Sequence, residues 1–209
     1  MMELTAAQWV RHAVTHPVEG FDDMRWKKSG SLKIAFFIVA MLFLAKLADG
    51  RLYGAQFNIS DDKVFNIVPY IVESFVLFAV WVVGNRAVCT FLDGEGSMRN
   101  ICIYSAYALI PYVVQMFINV ILSHILIADE SVFMDIIRLI GILWSAVLLF
   151  SAVRSVNQYT PVRTAASILL TIFAMFIMLV LMVLVLELAQ QIWIFLSSVF
   201  TEISYRIRV

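Results

Sequence analysis

From Thr164 to Leu186 the chain is apolar without a break. A stretch of this length matches the roughly 20 residues that a helix needs to cross a ~30 Å hydrocarbon core. Four more apolar stretches precede it, at about 31–48, 64–92 (with 66–86 in hydrocarbon), 101–128 and 132–153. None shows the alternation of a strand, and each is long enough for a helix. In lipid a helix satisfies its own backbone groups, so bundled helices are the natural solution. Composition agrees: 62% of the residues are hydrophobic, 14% are charged, and mean hydropathy is +0.91. Such a chain is neither an ordinary soluble enzyme nor disordered. Zero formal net charge and a pI near 6.8 argue against a nucleic-acid partner. Two cysteines cannot build a disulfide framework. The sequence therefore predicts an all-α integral membrane protein, a five-helix transmembrane bundle with N-terminal and C-terminal amphipathic helices. Its divisions are a cytoplasmic amphipathic segment (1–30), the transmembrane domain (31–187) and an amphipathic C-terminal helix on the outer face (188–209).

The first thirty residues are too mixed for a signal peptide. Leu4, Trp9, Val10, Ala13 and Val14 predict a short amphipathic helix starting near Thr5. Pro17 and Gly20 then mark a turn. This part reads as an interface-lying cytoplasmic helix and a turn. Lys and Arg in the loops set the orientation. Arg11, Arg25, Lys27, Lys28 and Lys33 precede or open the first span, Arg86 and Arg99 follow the second, and Arg154 and Arg163 follow the fourth. The alternate loops are acidic, with Asp49, Asp61, Asp62, Asp129, Glu130 and Asp135 against Arg51 and Lys63. The N-terminus is thus expected in the cytoplasm of a cell-membrane protein and the C-terminus outside, although Arg206 and Arg208 run against the rule. Ile192, Leu196, Val199, Ile203 and Ile207 recur at helical spacing, with Gln191, Ser198, Glu202 and Arg206 opposite. Residues 164–207 as one straight helix would measure ~66 Å. The tail must bend onto the outer interface, the preferred reading, or project to meet a partner.

Ionisable residues inside spans are costly and usually face the bundle interior. Threading puts Lys46, Glu73, His124, Arg138 and Glu187 in the outer half, with no comparable set in the inner half. Glu73 is the deepest, and Arg138 or Lys46 could neutralise it. Gln115, Asn119 and Ser123 are four apart and share one helix face. Pro111 and Pro69 are expected to kink their spans. Packing glue is the favoured role for these amides, and a transport path the alternative. Transporters are commonly built from paired repeats, and five spans do not divide in two. The basic cluster Arg25, Lys27 and Lys28, with Trp26 at headgroup level, is an orientation signal that could also hold lipid headgroups.

Chemistry is otherwise thin. His12 and His16 could share a helix face, but zinc needs three or four ligands. Cys89 and Cys102 lack CxxC spacing and read as reduced thiols. Gly94-x-Gly96 is too short for a phosphate loop and reads as a turn. Ser123 adjoins His124, and neighbours on one helix point apart. No catalytic residue, metal or cofactor is expected.

The run Asp93-Gly94-Glu95-Gly96-Ser97, followed by Ala106-Tyr107-Ala108-Leu109-Ile110-Pro111-Tyr112, resembles bacterial members of the Yip domain family. So does His16-Pro17-Val18-Glu19-Gly20-Phe21-Asp22-Asp23 ahead of the basic residues. The resemblance covers about 16–190. It implies a five-span, non-enzymatic membrane protein related to Ypt/Rab-interacting proteins. Eukaryotic relatives carry Asp-Leu-Tyr-Gly-Pro before the first span. Here Leu52-Tyr53-Gly54 follows that span, between Arg51 and Ala55, so a Rab GTPase is not an expected partner. Bacterial relatives often lie among genes for carbohydrate ABC importers, which implies an accessory or scaffold subunit beside permease subunits. A small transporter or channel using the outer-half polar cluster, and a membrane-shaping protein, are the alternatives.

Overall fold

The computed structural model describes residues 5–27, 29–54, 56–57 and 65–207. The described residues form helices and turns, with no strand. α1 (Ala6–Thr15) begins after Thr5, whose N–H donates to the Gln8 side chain at 2.8 Å. It stops before Pro17, as the sequence predicts. The chain then re-enters a helix, α2 (Glu19–Trp26), where the sequence suggested only a turn. Trp9 and Ala13 of α1 are buried, and α1 packs on α2 and α6. Its apolar face is therefore turned onto the chain itself, and the expectation of an interface-lying helix is corrected. His12 Nε2 lies 3.0 Å from Asp23 Oδ2 and ties α1 to α2.

α3 (Leu32–Arg51) is followed by α4 (Val68–Ile71), a π-helical turn (Val72–Val76) and α5 (Leu77–Phe91), which run on as one rod. Pro69 does not kink this span. It sits in the first turn of α4, where a missing N–H has no helical partner to lose. The distortion comes just after it, in the π turn. Next come α6 (Met98–Ala108) and α7 (Ile110–Leu122). Ser97 caps α6 by accepting from the Asn100 N–H at 3.3 Å. The break between α6 and α7 falls at Leu109, two residues before Pro111, whose ring excludes the next ladder bond. α8 (Ser131–Asn157) and α9 (Pro161–Ile207) complete the chain.

The segments Val68–Phe91, Met98–Leu122, Ala128–Asn157 and Pro161–Ile203 are each long and apolar enough to cross a membrane. α3 is as long as a span at 20 residues, but it carries Lys33, Lys46, Asp49 and Arg51. α6 and α7 are the centre of the bundle, with α3 on one side and α8 on the other. The core is densest toward α1 and α2, where Phe21 stacks near Tyr104 (centroids 5.8 Å) and Tyr107, Leu148, Ala152 and Val156 are buried. The Tyr107 hydroxyl accepts from the Ser31 N–H at 3.2 Å and so fixes the start of α3.

α9 packs through its first half on α5 and α8. Thr164, Ser167 and Thr171 are its buried residues there. From Val180 to Ile203 every residue is exposed. At 47 residues the helix is ~70 Å long. It is one unbroken helix, so no interface-lying segment separates from it at residue 188.

Candidate functional site

A charge pair sits where α3 meets the π turn. A π turn inserts one residue into the helical ladder. Here the Leu77 N–H bonds the Val72 carbonyl across it. Lys46 Nζ lies 3.0 Å from Glu73 Oε2, with side-chain exposures of 24% and 48%. The ammonium also stands 5.8 Å from the centre of the Tyr112 ring. These groups border a cavity of about 540 Å³, lined among others by Leu42, Trp81 and Ser105. Trp81 Nε1 donates to Ser105 Oγ at 3.0 Å in its wall. The surface is largely apolar, with one charge pair fixed in it.

Arg138, the other cation at this depth, faces elsewhere. It donates to the Tyr53 hydroxyl at 3.2 Å and lies 3.9 Å from Asp135. Gln115 and Asn119 are buried and hydrogen-bonded to one another at 3.2 Å, and Asn119 also donates to the Met134 carbonyl at 3.2 Å. They join α7 to α8. His124 Nε2 contacts the Leu52 carbonyl at 2.7 Å. Glu187 is exposed on α9. The residues expected in the outer half thus do not form one hydrogen-bonded cluster, although Asp49 stands close enough to both Lys46 and Arg138 to feel their charge. Ile192, Leu196, Val199 and Ile203 are exposed on α9, and Ile207 is the last residue of that helix.

Of the four residues offered for lipid headgroups, Arg25 is turned inward. It donates to the Ser155 carbonyl at 2.8 Å and to Glu95. Trp26 is 81% exposed, and Lys27 stands over the Trp9 ring at 5.3 Å. Lys28 lies outside the described residues.

Arg25 leads to a second polar site, which the sequence reading missed. The 93–97 loop is a turn, but it is clamped on the end of α8. Arg86 donates to the Gly96 carbonyl at 2.8 Å. A Cβ at Gly94 would collide with the Tyr159 hydroxyl, and one at Gly96 with the Asn157 side chain. Beneath the loop Cys89 donates to Asn157 Oδ1 at 3.0 Å, and Asn85 Nδ2 donates to Thr171 Oγ1 at 3.3 Å. These buried neutral groups join α5, α8 and α9. The sequence reading weighed ionisable residues along the spans and passed over these neutral groups. The available signal was Thr164, Ser167 and Thr171 recurring at three and four residues along an apolar run.

Burial, with the Cys89 thiol beside it, pushes the Tyr159 phenol up from 10.0 to about 12. The neutral form is therefore favoured in the fold. That contribution to stability is complete below pH 10 and is lost as pH rises from 10 toward about 12. The difference between the ultraviolet titrations of the unaltered chain and Tyr159→Phe should show one tyrosine ionising near 12. Ionisation near 10 would mean that the phenol is solvated.

The helices and their buried polar joints define a polytopic α-helical membrane protein. The Yip1 domain family model matches residues 11–185, and the chain belongs to that family. No curated protein and no solved structure matches it. The match takes in all three runs on which the family resemblance rests, including the clamped loop.

Proposed function

We propose that this Yip1-domain protein is a non-enzymatic accessory or scaffold subunit that docks on another membrane complex. The observation that carries the reading is the second half of α9. It continues ~35–40 Å beyond the part that packs on α5 and α8. It presents Ile192, Trp193, Leu196, Phe200 and Ile203, all exposed. Exposed apolar surface on this scale marks a protein or membrane contact. Gln190, Gln191 and Glu202 on the same stretch suit a partner that offers both polar and apolar contacts.

In this reading α3 is the fifth span, its charged residues engaged by Glu73 or lying near the ends. The basic residues Arg25 and Arg86 meet at the 93–97 loop, and Arg163 stands over the Tyr159 ring at 5.5 Å. Their gathering at one end of the bundle supports a cytoplasmic N-terminus and an outward projection of α9 from the cell membrane. Family resemblance makes the permease subunits of a carbohydrate ABC importer the first partners to test.

The test is purification from gently solubilised membranes with and without residues 188–209. A stoichiometric membrane-protein partner held by the full chain and released by the truncation is the expected result. Equal retention by both forms, or isolation of both as lone chains, overturns the docking role.

A further inference from the structure

α3 and α5 both flank α6, yet they do not pack on one another along their length. They approach only near the π turn, where Phe43 meets Phe75 (centroids 5.6 Å) and Lys46 meets Glu73. Away from that closure the two helices leave a slot floored by α6. A second cavity of about 320 Å³ occupies it, lined by Phe36 and Val39 of α3, Phe75 of the π turn, Val82 of α5, and Met98 and Arg99 of α6. Phe78 lines both this cavity and the larger one that holds the charge pair. Each volume falls within the ~300–1,000 Å³ range of small-molecule pockets. The slot faces sideways, with Phe36 and Phe75 exposed at its rim among the apolar surfaces of the spans. An apolar rim on a membrane-spanning bundle suits an occupant that arrives from the bilayer.

The polar end defines the head of that occupant. Lys46 and Glu73 neutralise one another, so an anionic head would meet the carboxylate and a cationic head the ammonium. An ammonium has three donors; one goes to Glu73 Oε2 and Tyr112 engages a second, which leaves one for a bound head. The second carboxylate oxygen remains an acceptor. A donor and an acceptor side by side, with Tyr112 adjacent, match a hydroxyl group. We propose that the slot binds a neutral amphiphile with a hydroxylated head and one long apolar chain, of the monoacylglycerol type. The head sits on Lys46, Glu73 and Tyr112, and the chain runs past Phe78 into the groove between α3 and α5.

Trp81 lines the head cavity and reports occupancy. In a chain retaining Trp81 alone, the other four tryptophans being phenylalanine, a monoacylglycerol brominated on its chain should quench the fluorescence saturably. Unlabelled monoacylglycerol should reverse the quenching. A fatty acid and an alkyltrimethylammonium of equal chain length should not. Ala79→Phe, which fills the chain groove, and the paired substitution Lys46→Met with Glu73→Leu should each raise the half-saturation concentration at least tenfold. Quenching that rises linearly, that the charged amphiphiles reverse equally well, or that neither substitution alters overturns the proposal. Native mass spectrometry of the unaltered chain gives an independent reading. One retained monoacylglycerol, lost in Ala79→Phe, supports the site, and equal retention by both chains overturns it.

Discussion

Leucine at position 141 should drive α7 and α8 apart and give the largest loss of stability of any single substitution in the bundle. Gly141 is buried, and even a Cβ there would overlap the Cβ and Cγ of Gln115 and press the Pro111 carbonyl at 3.2 Å. The first carbons of Gln115 are fixed by its own helix and cannot swing aside as a chain end could. Overpacking costs about 1–3 kcal/mol. Displacing Gln115 also breaks its bond with Asn119, at roughly 1 kcal/mol more, and leaves a buried amide short of a partner. The sum should appear as a clear fall in the thermal unfolding midpoint in detergent. Gly141→Ala should show the smaller form of the same defect, and Gln115→Ala should relieve part of it when the two are combined. Strictly additive losses in that pair would mean that Gln115 does not set the limit at this contact.

The second large effect concerns the ion pair. Glu73→Leu removes the carboxylate in contact with the Lys46 ammonium and leaves it only the more distant charge of Asp49. A cation at the centre of a span costs about 2.5–3.5 kcal/mol on insertion scales, and snorkelling recovers part of that. A loss of about 2 kcal/mol is therefore expected. Lys46→Met combined with Glu73→Leu should regain most of it, because charge and countercharge leave together and the apolar replacements fill similar space. The check is a double-mutant cycle on the unfolding midpoint. If the loss in the double substitution equals the sum of the two single losses, the pair has no net coupling. Arg138→Met should leave the cycle unchanged, since Arg138 is engaged by Tyr53 and Asp135.

How far the sequence reveals this molecule differs from element to element. Long apolar runs identify α8 and the first half of α9 directly, because length and apolarity suffice. Pro69 misleads. It resembles a kink, but with the helix starting at Val68 it lies in the first turn, where no ladder bond is lost. α2 is hidden by Pro17 and Gly20, yet the chain turns in two residues and resumes a helix at Glu19. Depth along the spans brings Lys46, Glu73 and Arg138 level, but it carries no angle around the bundle. The structure turns Lys46 to Glu73 and Arg138 away. The clamp on the 93–97 loop is harder still to see. Its parts, Arg25, Arg86, Asn157 and Tyr159, are spread through the chain and are ordinary residues one by one. Only the small side chains at Gly94 and Gly96 hint that something must come close.

α9 is seated at its foot and extends well beyond its seat. Its foot is joined to α5 through Asn85 and Thr171 and begins just after Tyr159, which packs on the clamped loop. A rod held this way is a lever. A tilt of only ~5° where it leaves its seat would sweep the far tip of its ~35–40 Å free length through about 3 Å. A slight shift in the packing of α9 on α5 and α8 would thus become a larger displacement at its far end.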